Sequence, residues 1–206
     1  MKTRNKALLL SLCAVLLVTA SVLGTMAYLT STTEVVTNTF SVGNVKITLD
    51  EAKVDENGKE ITGDDAARVT ENAYHVLPGQ TYDKDPTVHV AKGSEDCYLF
   101  VEVTNGLKDI EADDTITDQM KDNGWVLVTD TENVYVYTGD GVSSTPKAVK
   151  AETDQVVFKE INIKSSVDND TLAKYEGKTI TVKAYAIQIA GFEDKNAATI
   201  WAAVNE

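Results

Sequence analysis

Alternation of apolar and polar residues along most of the chain after residue 38 is the feature that most constrains its fold. The clearest stretch is CYLFVEVT, residues 97–104, in which Leu99, Val101 and Val103 share one face. Successive side chains of a β-strand point to opposite faces of the sheet, so this spacing predicts a strand with one buried face.

Similar stretches recur at intervals separated by turn residues. Strands are predicted at residues 40–49, 86–91, 125–129, 134–138, 155–163 and 179–190. In the first of them the apolar parity changes at Gly43-Asn44, which predicts a bulge. The polar segment 51–72 is predicted to be a surface loop. About seven strands without alternating helices predict a mainly β fold, an antiparallel β-sandwich.

Two short helices interrupt the strand pattern. In TITDQMKDNG, Ile116 and Met120 lie one helical turn apart, and Gly124 is a stop signal. The stronger pattern lies near the C-terminus, where apolar residues recur at the i, i+3, i+4 and i+7 positions of an amphipathic helix. These residues are Ala197, Ile200, Trp201 and Val204. We expect this apolar stripe to dock on the sheet.

An apolar run near the N-terminus predicts export. Three basic side chains lie in the first six residues, and no charged residue follows before Glu34. This is the pattern of a signal peptide, and small residues before Tyr28 predict cleavage after Ala27. The run is also long enough to span a bilayer, so a retained anchor stays open. The expected divisions are a signal peptide (1–27), a flexible arm (28–38) and a sandwich domain (39–206).

Net charge and cysteine content limit the partners and the disulfide bonds that can be expected of this protein. The formal net charge is −13 at pH 7, and loss of the basic N-terminus makes the exported chain more acidic still. Such a chain repels nucleic acid, so we expect no nucleic-acid partner. Of the two cysteines, Cys13 lies in the apolar run and only Cys97 follows it. An internal disulfide is therefore not expected in the exported protein.

Candidate catalytic and metal-binding residues are few. The chain has two histidines, His75 and His89, and lacks the H-E-x-x-H motif of a zinc peptidase helix. A zinc site built from both histidines and a carboxylate is possible, although His89 lies between two strand valines and is more simply a sheet-surface residue. Cys97 paired with His89 is a second option, and the acidic segment around Asp55 resembles a calcium loop without its regular spacing. No cofactor is expected, with zinc or calcium as the alternative.

Four segments resemble the TasA/camelysin family of Gram-positive bacteria. They are GTMAYLT at the cleavage region, NTFSVGNVKITLDE at the first strand, LPGQTYDKDPTVHV with CYLFVEV in the middle, and ITVKAYAIQIAGF before the tryptophan-containing helix. They occur in the family's order and span almost the whole chain. The resemblance implies a jelly-roll sandwich, and processing of the precursor by a dedicated signal peptidase of the SipW type.

The resemblance implies two alternative functions. TasA-like proteins are secreted subunits of extracellular matrix fibres in biofilms, and they associate by adding the freed N-terminal segment of one subunit to a sheet of the next. The residues expected to form this assembly arm are Tyr28, Leu29, Val35, Val36 and Phe40. Camelysin-like relatives are instead cell-surface, metal-dependent peptidases. The residues favour the structural role, in which the chain forms homo-oligomers or fibres and meets the membrane only as the uncleaved precursor.

Overall fold

The computed structural model describes residues 44–204, and the architecture below is that of this part of the chain. Its ten β-strands are β1 (Ile47–Ala52), β2 (Arg68–Val69), β3 (Thr81–Asp83), β4 (Thr87–Val90), β5 (Cys97–Asn105), β6 (Trp125–Leu127), β7 (Val134–Tyr137), β8 (Thr153–Val156), β9 (Glu160–Asn162) and β10 (Ile180–Gln188). Its three α-helices are α1 (Ile116–Asp122), α2 (Asn169–Leu172) and α3 (Ala197–Val204). The fold is therefore mainly β with short helices, as the alternation predicts.

The strands form three antiparallel sheets. One four-stranded sheet has the order β2-β1-β4-β8, and a second has the order β10-β5-β7-β6. Strands β3 and β9 form a two-stranded sheet. The longest pairing joins β5 to β10 over the whole of both strands, from Cys97 opposite Gln188 to Asn105 opposite Ile180.

One apolar cluster takes side chains from both four-stranded sheets. Val88 and Val90 contribute from β4, and Leu99, Val101 and Val103 contribute from β5. None of these five side chains is more than 7% exposed. The face of β5 that the sequence predicts to be buried is therefore buried.

The opposite face of β5 is covered by the C-terminal helix. Tyr98 and Phe100 lie in a second apolar cluster with Ile200 of α3, which is 0% exposed. The ring of Trp201 lies 5.6 Å from that of Phe100 and 5.0 Å from that of Tyr185, measured between centroids. Docking of the amphipathic helix on the sheet is thus confirmed, and it makes β5 a strand buried on both faces.

Helix α1 lies within the segment predicted to be helical and ends before Gly124, the predicted stop signal. Thr115 and Asp118 form a reciprocal capping box, which satisfies backbone N–H groups of the first turn. Ile116 and Met120 are buried one turn apart. The chain leaves the helix through Gly124, whose φ of +88° is a left-handed conformation that favours glycine.

The single strand predicted at residues 155–163 is wrong, because the chain changes sheets inside it. β8 ends at Val156, and Val157 and Phe158 enter the core with 0% exposure before β9 begins. The backbone N–H groups of Lys159 and Glu160 both donate to Oε1 of Gln119 in α1, at 3.0 and 3.1 Å. A helix side chain thus replaces the strand partner at the break.

The N-terminal predictions are only partly covered by the described residues. Of the predicted strand 40–49, the structure describes the end, where Val45, Ile47 and Leu49 pack against the shared cluster. The full Gly43-Asn44 bulge, the signal peptide, the Ala27–Tyr28 cleavage site and the arm lie outside residues 44–204. The predicted loop 51–72 is partly strand, since β2 lies in it and pairs with β1. Among residues 44–204, no helix has the length and apolar character needed to cross a membrane.

Candidate assembly interface

Strand β10 has a hydrogen-bonded neighbour on one edge only, within the described part of the chain. Just before it, the N–H of Gly106 donates to the carbonyl of Thr179 at 2.9 Å, so the odd-numbered residues of β10 direct their backbone groups towards β5. Val182, Ala184 and Ala186 therefore direct their N–H and C=O groups to the other side. This arrangement leaves an open edge along a nine-residue strand.

The first half of β1 has an open edge of the same kind. The N–H of Ala91 donates to the carbonyl of Lys46 at 2.9 Å, and by alternation Ile47 and Leu49 direct their backbone groups away from β4. Strand β2 covers only the last two residues of β1. Cα atoms of β1 and β10 approach within 8 Å, yet no strand pairing joins the two within residues 44–204.

A groove of about 690 Å³ is lined by residues of both open strands. Its lining includes residues 49–51 of β1, residues 69–74 from the end of β2 onward, and residues 177–182 at the start of β10. Leu107 and Ile161 add apolar surface. The groove thus combines backbone groups that are unpaired within residues 44–204 with a partly apolar lining, and extended peptide segments bind to surfaces with these two features.

The same groove holds charged and polar side chains that sequence reasoning missed. Lys84 and Glu51 form an ion pair in which the side chains are only 11% and 7% exposed. Asn72 donates to the second oxygen of Glu51 at 2.9 Å. The pKa of the nearby Tyr74 hydroxyl is raised above its ordinary value, first by burial and then by the charge of Glu51.

No family model, curated protein or solved structure matches this chain. The resemblance to the TasA/camelysin family therefore stays a prediction from the sequence segments. Within residues 44–204, the unpaired strand edges and the residues of the groove are the features that bear on function.

His89 lies on the outer face of its sheet and contacts two carboxylates. Its Nδ1 is 2.6 Å from Oδ1 of Asp154 on β8, and its Nε2 is 2.9 Å from Oδ1 of Asp50 on β1. Asp50 also accepts from Nε of Arg68 on β2, at 2.7 Å. Burial acts to lower the pKa of His89, but the hydrogen bonds to Asp50 and Asp154 outweigh it and the pKa is raised. His89 therefore links strands rather than presenting a free ring nitrogen.

His75 lies apart from this network, on an exposed segment before β3. Its backbone carbonyl accepts a hydrogen bond from the Tyr82 hydroxyl at 2.9 Å. Within residues 44–204, no three His, Cys, Asp or Glu side chains are grouped so that they could hold a metal ion. In the acidic loop, Oδ1 of Asp55 accepts the N–H groups of Asn57 and Lys59, each at 2.9 Å.

Cys97 lies at the start of β5 with 0% exposure and forms no disulfide. Burial, with a smaller contribution from the charge of Asp96, raises the pKa of its thiol to about 11. A nucleophilic cysteine needs the thiolate form near neutral pH. These surroundings favour the structural interpretation of Cys97 over the nucleophile paired with His89.

Proposed function

We propose that this protein is an exported structural subunit that self-associates by strand addition, as its resemblance to TasA-like matrix proteins implies. The observation that carries the proposal is the edge of β10 that is unpaired within residues 44–204, on a strand that comes within 8 Å of β1 between Cα atoms. An exposed strand edge presents unpaired N–H and C=O groups to any extended segment that approaches it. The two four-stranded sheets with their shared core are, in this proposal, the layers of a jelly-roll sandwich.

The donor segment in this proposal is the arm at residues 28–38, freed by cleavage after Ala27. It contains Val35 and Val36 among threonines and lacks both proline and glycine, so it has high β-propensity. Its one charge is Glu34, which makes it far less charged than the domain. An arm of this composition can pair as an extended strand with little charge repulsion from the acidic domain.

Insertion of the arm between both edges requires β1 and β10 to separate. Adjacent hydrogen-bonded strands lie about 4.8 Å apart, so a strand paired on both sides holds its neighbours about 10 Å apart. Since β1 and β10 come within 8 Å, the arm first has to pair with one edge. The longer edge, β10, is the proposed point of entry.

The test compares assembly of chains that begin at Tyr28 and at Phe40. The longer chain is expected to form filaments or oligomers, seen by electron microscopy and by sedimentation. The shorter chain lacks the donor segment and is expected to stay monomeric. Equal assembly by the two chains would remove the arm from the mechanism.

The acceptor edge is tested separately, by proline substitution in the chain that begins at Tyr28. Ala184→Pro removes an N–H on the open edge of β10 without removing a bond to β5, and we expect it to stop growth at the acceptor end. Because its arm is intact, this variant added in small amounts should also cap wild-type filaments. Leu127→Pro is the matched control, because Leu127 has an outward N–H on β6 at the opposite edge of the same sheet. Equal inhibition by both prolines would contradict the assignment to β10.

The camelysin-like peptidase has less support among the described residues. Both ring nitrogens of His89 are engaged by carboxylates, and His75 is exposed on another segment. A variant combining His75→Ala with His89→Ala tests this alternative directly. Loss of a metal-dependent peptidase activity in that variant would favour the alternative over the structural role.

A further inference from the structure

One buried carboxylate in the groove bridges an amine and an amide. Nδ2 of Asn72 donates to Oε1 of Glu51 at 2.9 Å, while Nζ of Lys84 donates to Oε2 of the same side chain. Glu51 is 5% exposed as a residue. Glu51 thus contacts both the Lys84 amine, which can become a nucleophile, and the Asn72 amide, whose carbonyl carbon is an electrophile. Glu51 itself can carry a proton and is shielded from bulk water.

The amide of Asn72 is held at both of its ends. Nδ2 also donates to the carbonyl of Ala52 at 2.8 Å. Oδ1 accepts the backbone N–H of Val54 at 3.1 Å. A backbone N–H aimed at a carbonyl oxygen stabilises the negative charge that develops there when a nucleophile attacks the carbon. The contacts therefore orient and polarise the amide.

The Lys84 side chain lies among aromatic and apolar groups of the groove. The ring of Tyr74 lies beneath Nζ, which is 5.7 Å from the ring centroid. Tyr82 and Ile161 also line the groove, and the lysine side chain is 11% exposed. The carboxylate of Glu51 contacts Nζ directly and is therefore positioned to accept its proton.

We propose that Lys84 and Asn72 become joined by an isopeptide bond, with Glu51 as the proton carrier. Glu51 takes a proton from the Lys84 ammonium, and the Nζ lone pair attacks Cγ of Asn72, whose carbonyl electrons move onto Oδ1. Glu51 gives its proton to Nδ2 and then accepts the surplus proton from Nζ. The Cγ–Nδ2 bond breaks, ammonia leaves and the Nζ–Cγ amide remains. The step consumes no oxidant or other reactant.

The crosslink would close a ring of chain between residues 72 and 84. This ring contains the Pro78-Gly79 turn and β3, and both linked residues line the groove. A crosslink of this kind limits the conformations of the unfolded chain, as a disulfide does, in a protein whose exported part has no pair of cysteines. The inference is independent of strand addition, because it concerns a single subunit.

The experiment is intact-mass measurement and peptide mapping of the full chain after folding and incubation at neutral pH. The expected mass is lower than that of the sequence by one ammonia, and proteolysis should release a branched peptide that joins Asn72 to Lys84. Loss of ammonia at an Asn-Gly sequence gives the same mass, and Asn57-Gly58 is one such site. Mapping separates the two, and ammonia loss found only at an Asn-Gly peptide would overturn the proposal.

Two variants test the roles of the individual groups. Lys84→Arg keeps the positive charge but cannot form the amide, and Glu51→Gln keeps the side-chain shape but cannot carry the proton. Both are expected to keep the full sequence mass, and a branched peptide in either would overturn the proposal. Lys59→Arg is the matched control, because Lys59 pairs with Asp83 at 3.0 Å on the surface; it should be crosslinked like the wild type. If Glu51→Gln does not fold, the result for Lys84→Arg alone decides whether the crosslink forms through Lys84.

Folding of each variant is checked by circular dichroism, since only a folded chain brings the groups together. The wild-type chain is also mapped after prolonged incubation. If it is folded but still yields separate peptides with free Asn72 and Lys84, the proposal is overturned. A crosslinked wild type should melt at a higher temperature than Lys84→Arg.

Discussion

At the scale of single residues, the contacts of His89 within its sheet favour the protonated imidazole. A neutral imidazole carries one N–H and can donate to one carboxylate, whereas the protonated ring donates to both. Asp50 and Asp154 lie at the two ring nitrogens, and Arg68 shares Asp50. The structure therefore favours the charged ring, which is the physical cause of the raised pKa of His89.

Replacement of His89 by glutamine is predicted to destabilise the protein more at pH 5.5 than at pH 8. A raised pKa contributes stability that is fully present below the unfolded value of 6.5 and is lost as the pH rises through the folded value. We expect a loss of about 1 kcal/mol at the lower pH. Urea unfolding at both pH values measures it, with the exposed His75→Gln as control. A difference that does not change with pH would contradict this account.

At the scale of elements, the junction between β8 and β9 depends on side chains of the α1 region. Gln119 is 8% exposed, accepts two backbone N–H groups, and donates through Nε2 to the carbonyls of Asp114 and Glu160, each at 3.1 Å. Nε1 of Trp125 donates to the carbonyl of Val156 at 2.9 Å, and Nδ2 of Asn123 donates to the next carbonyl at 3.2 Å. Because of these hydrogen bonds, the chain passes from one sheet to the other while its backbone N–H and C=O groups keep hydrogen-bond partners.

Gln119→Leu is predicted to lower the free energy of unfolding by about 2–3 kcal/mol, because it keeps the side-chain volume but leaves buried backbone groups without partners. Chemical denaturation measures the loss, and hydrogen exchange at residues 157–160 should increase in the same variant. Thr117→Ala on the exposed face of the same helix is the control, with an expected change below about 0.5 kcal/mol. Equal effects of the two substitutions would mean that the hydrogen bonds of Gln119 do not hold the junction.

At the scale of the whole molecule, net negative charge opposes the proposed self-association, whereas strand edges that are unpaired within residues 44–204 favour it. The full sequence has a formal net charge of −13, and the chain that begins at Tyr28 loses Lys2, Arg4 and Lys6, which gives −13 − 3 = −16, so its copies repel one another. In the proposed assembly, the edges of β10 and β1 that are unpaired within residues 44–204 favour pairing with an extended segment. Repulsion between exposed charges is screened over about 10 Å at 0.1 M ionic strength. Ionic strength should therefore control how fast subunits meet.

Filament formation by the chain beginning at Tyr28 is predicted to accelerate severalfold when monovalent salt is raised from about 0.02 M to 0.2 M, because screening reduces the repulsion. Light scattering followed by electron microscopy measures the rate. Calcium chloride at matched ionic strength is the control, and a larger effect of calcium would indicate a specific cation site. A rate that does not change with salt would mean that charge repulsion does not limit assembly.

Features that depend on near neighbours along the chain follow from the sequence alone. The alternation of β5, the one-turn spacing of Ile116 and Met120 in α1 and the apolar stripe of α3 could be predicted because they follow from periods of two and 3.6 residues. Each pattern predicts which face of an element is buried. It does not state which element covers that face, and the split between β8 and β9 was missed for that reason.

Contacts between distant side chains depend on the tertiary structure. Glu51 lies 33 residues from Lys84 and 21 residues from Asn72, and His89 lies 65 residues from Asp154. These contacts require a strand order and register that are set by the packing of whole sheets and leave no periodic trace in the local sequence. The lack of a second strand neighbour for β10 among residues 44–204 is likewise a property of the sheet order. Local periodicity thus indicates the longer elements and their buried faces, whereas the packing of sheets creates the groove and brings together the groups inside it.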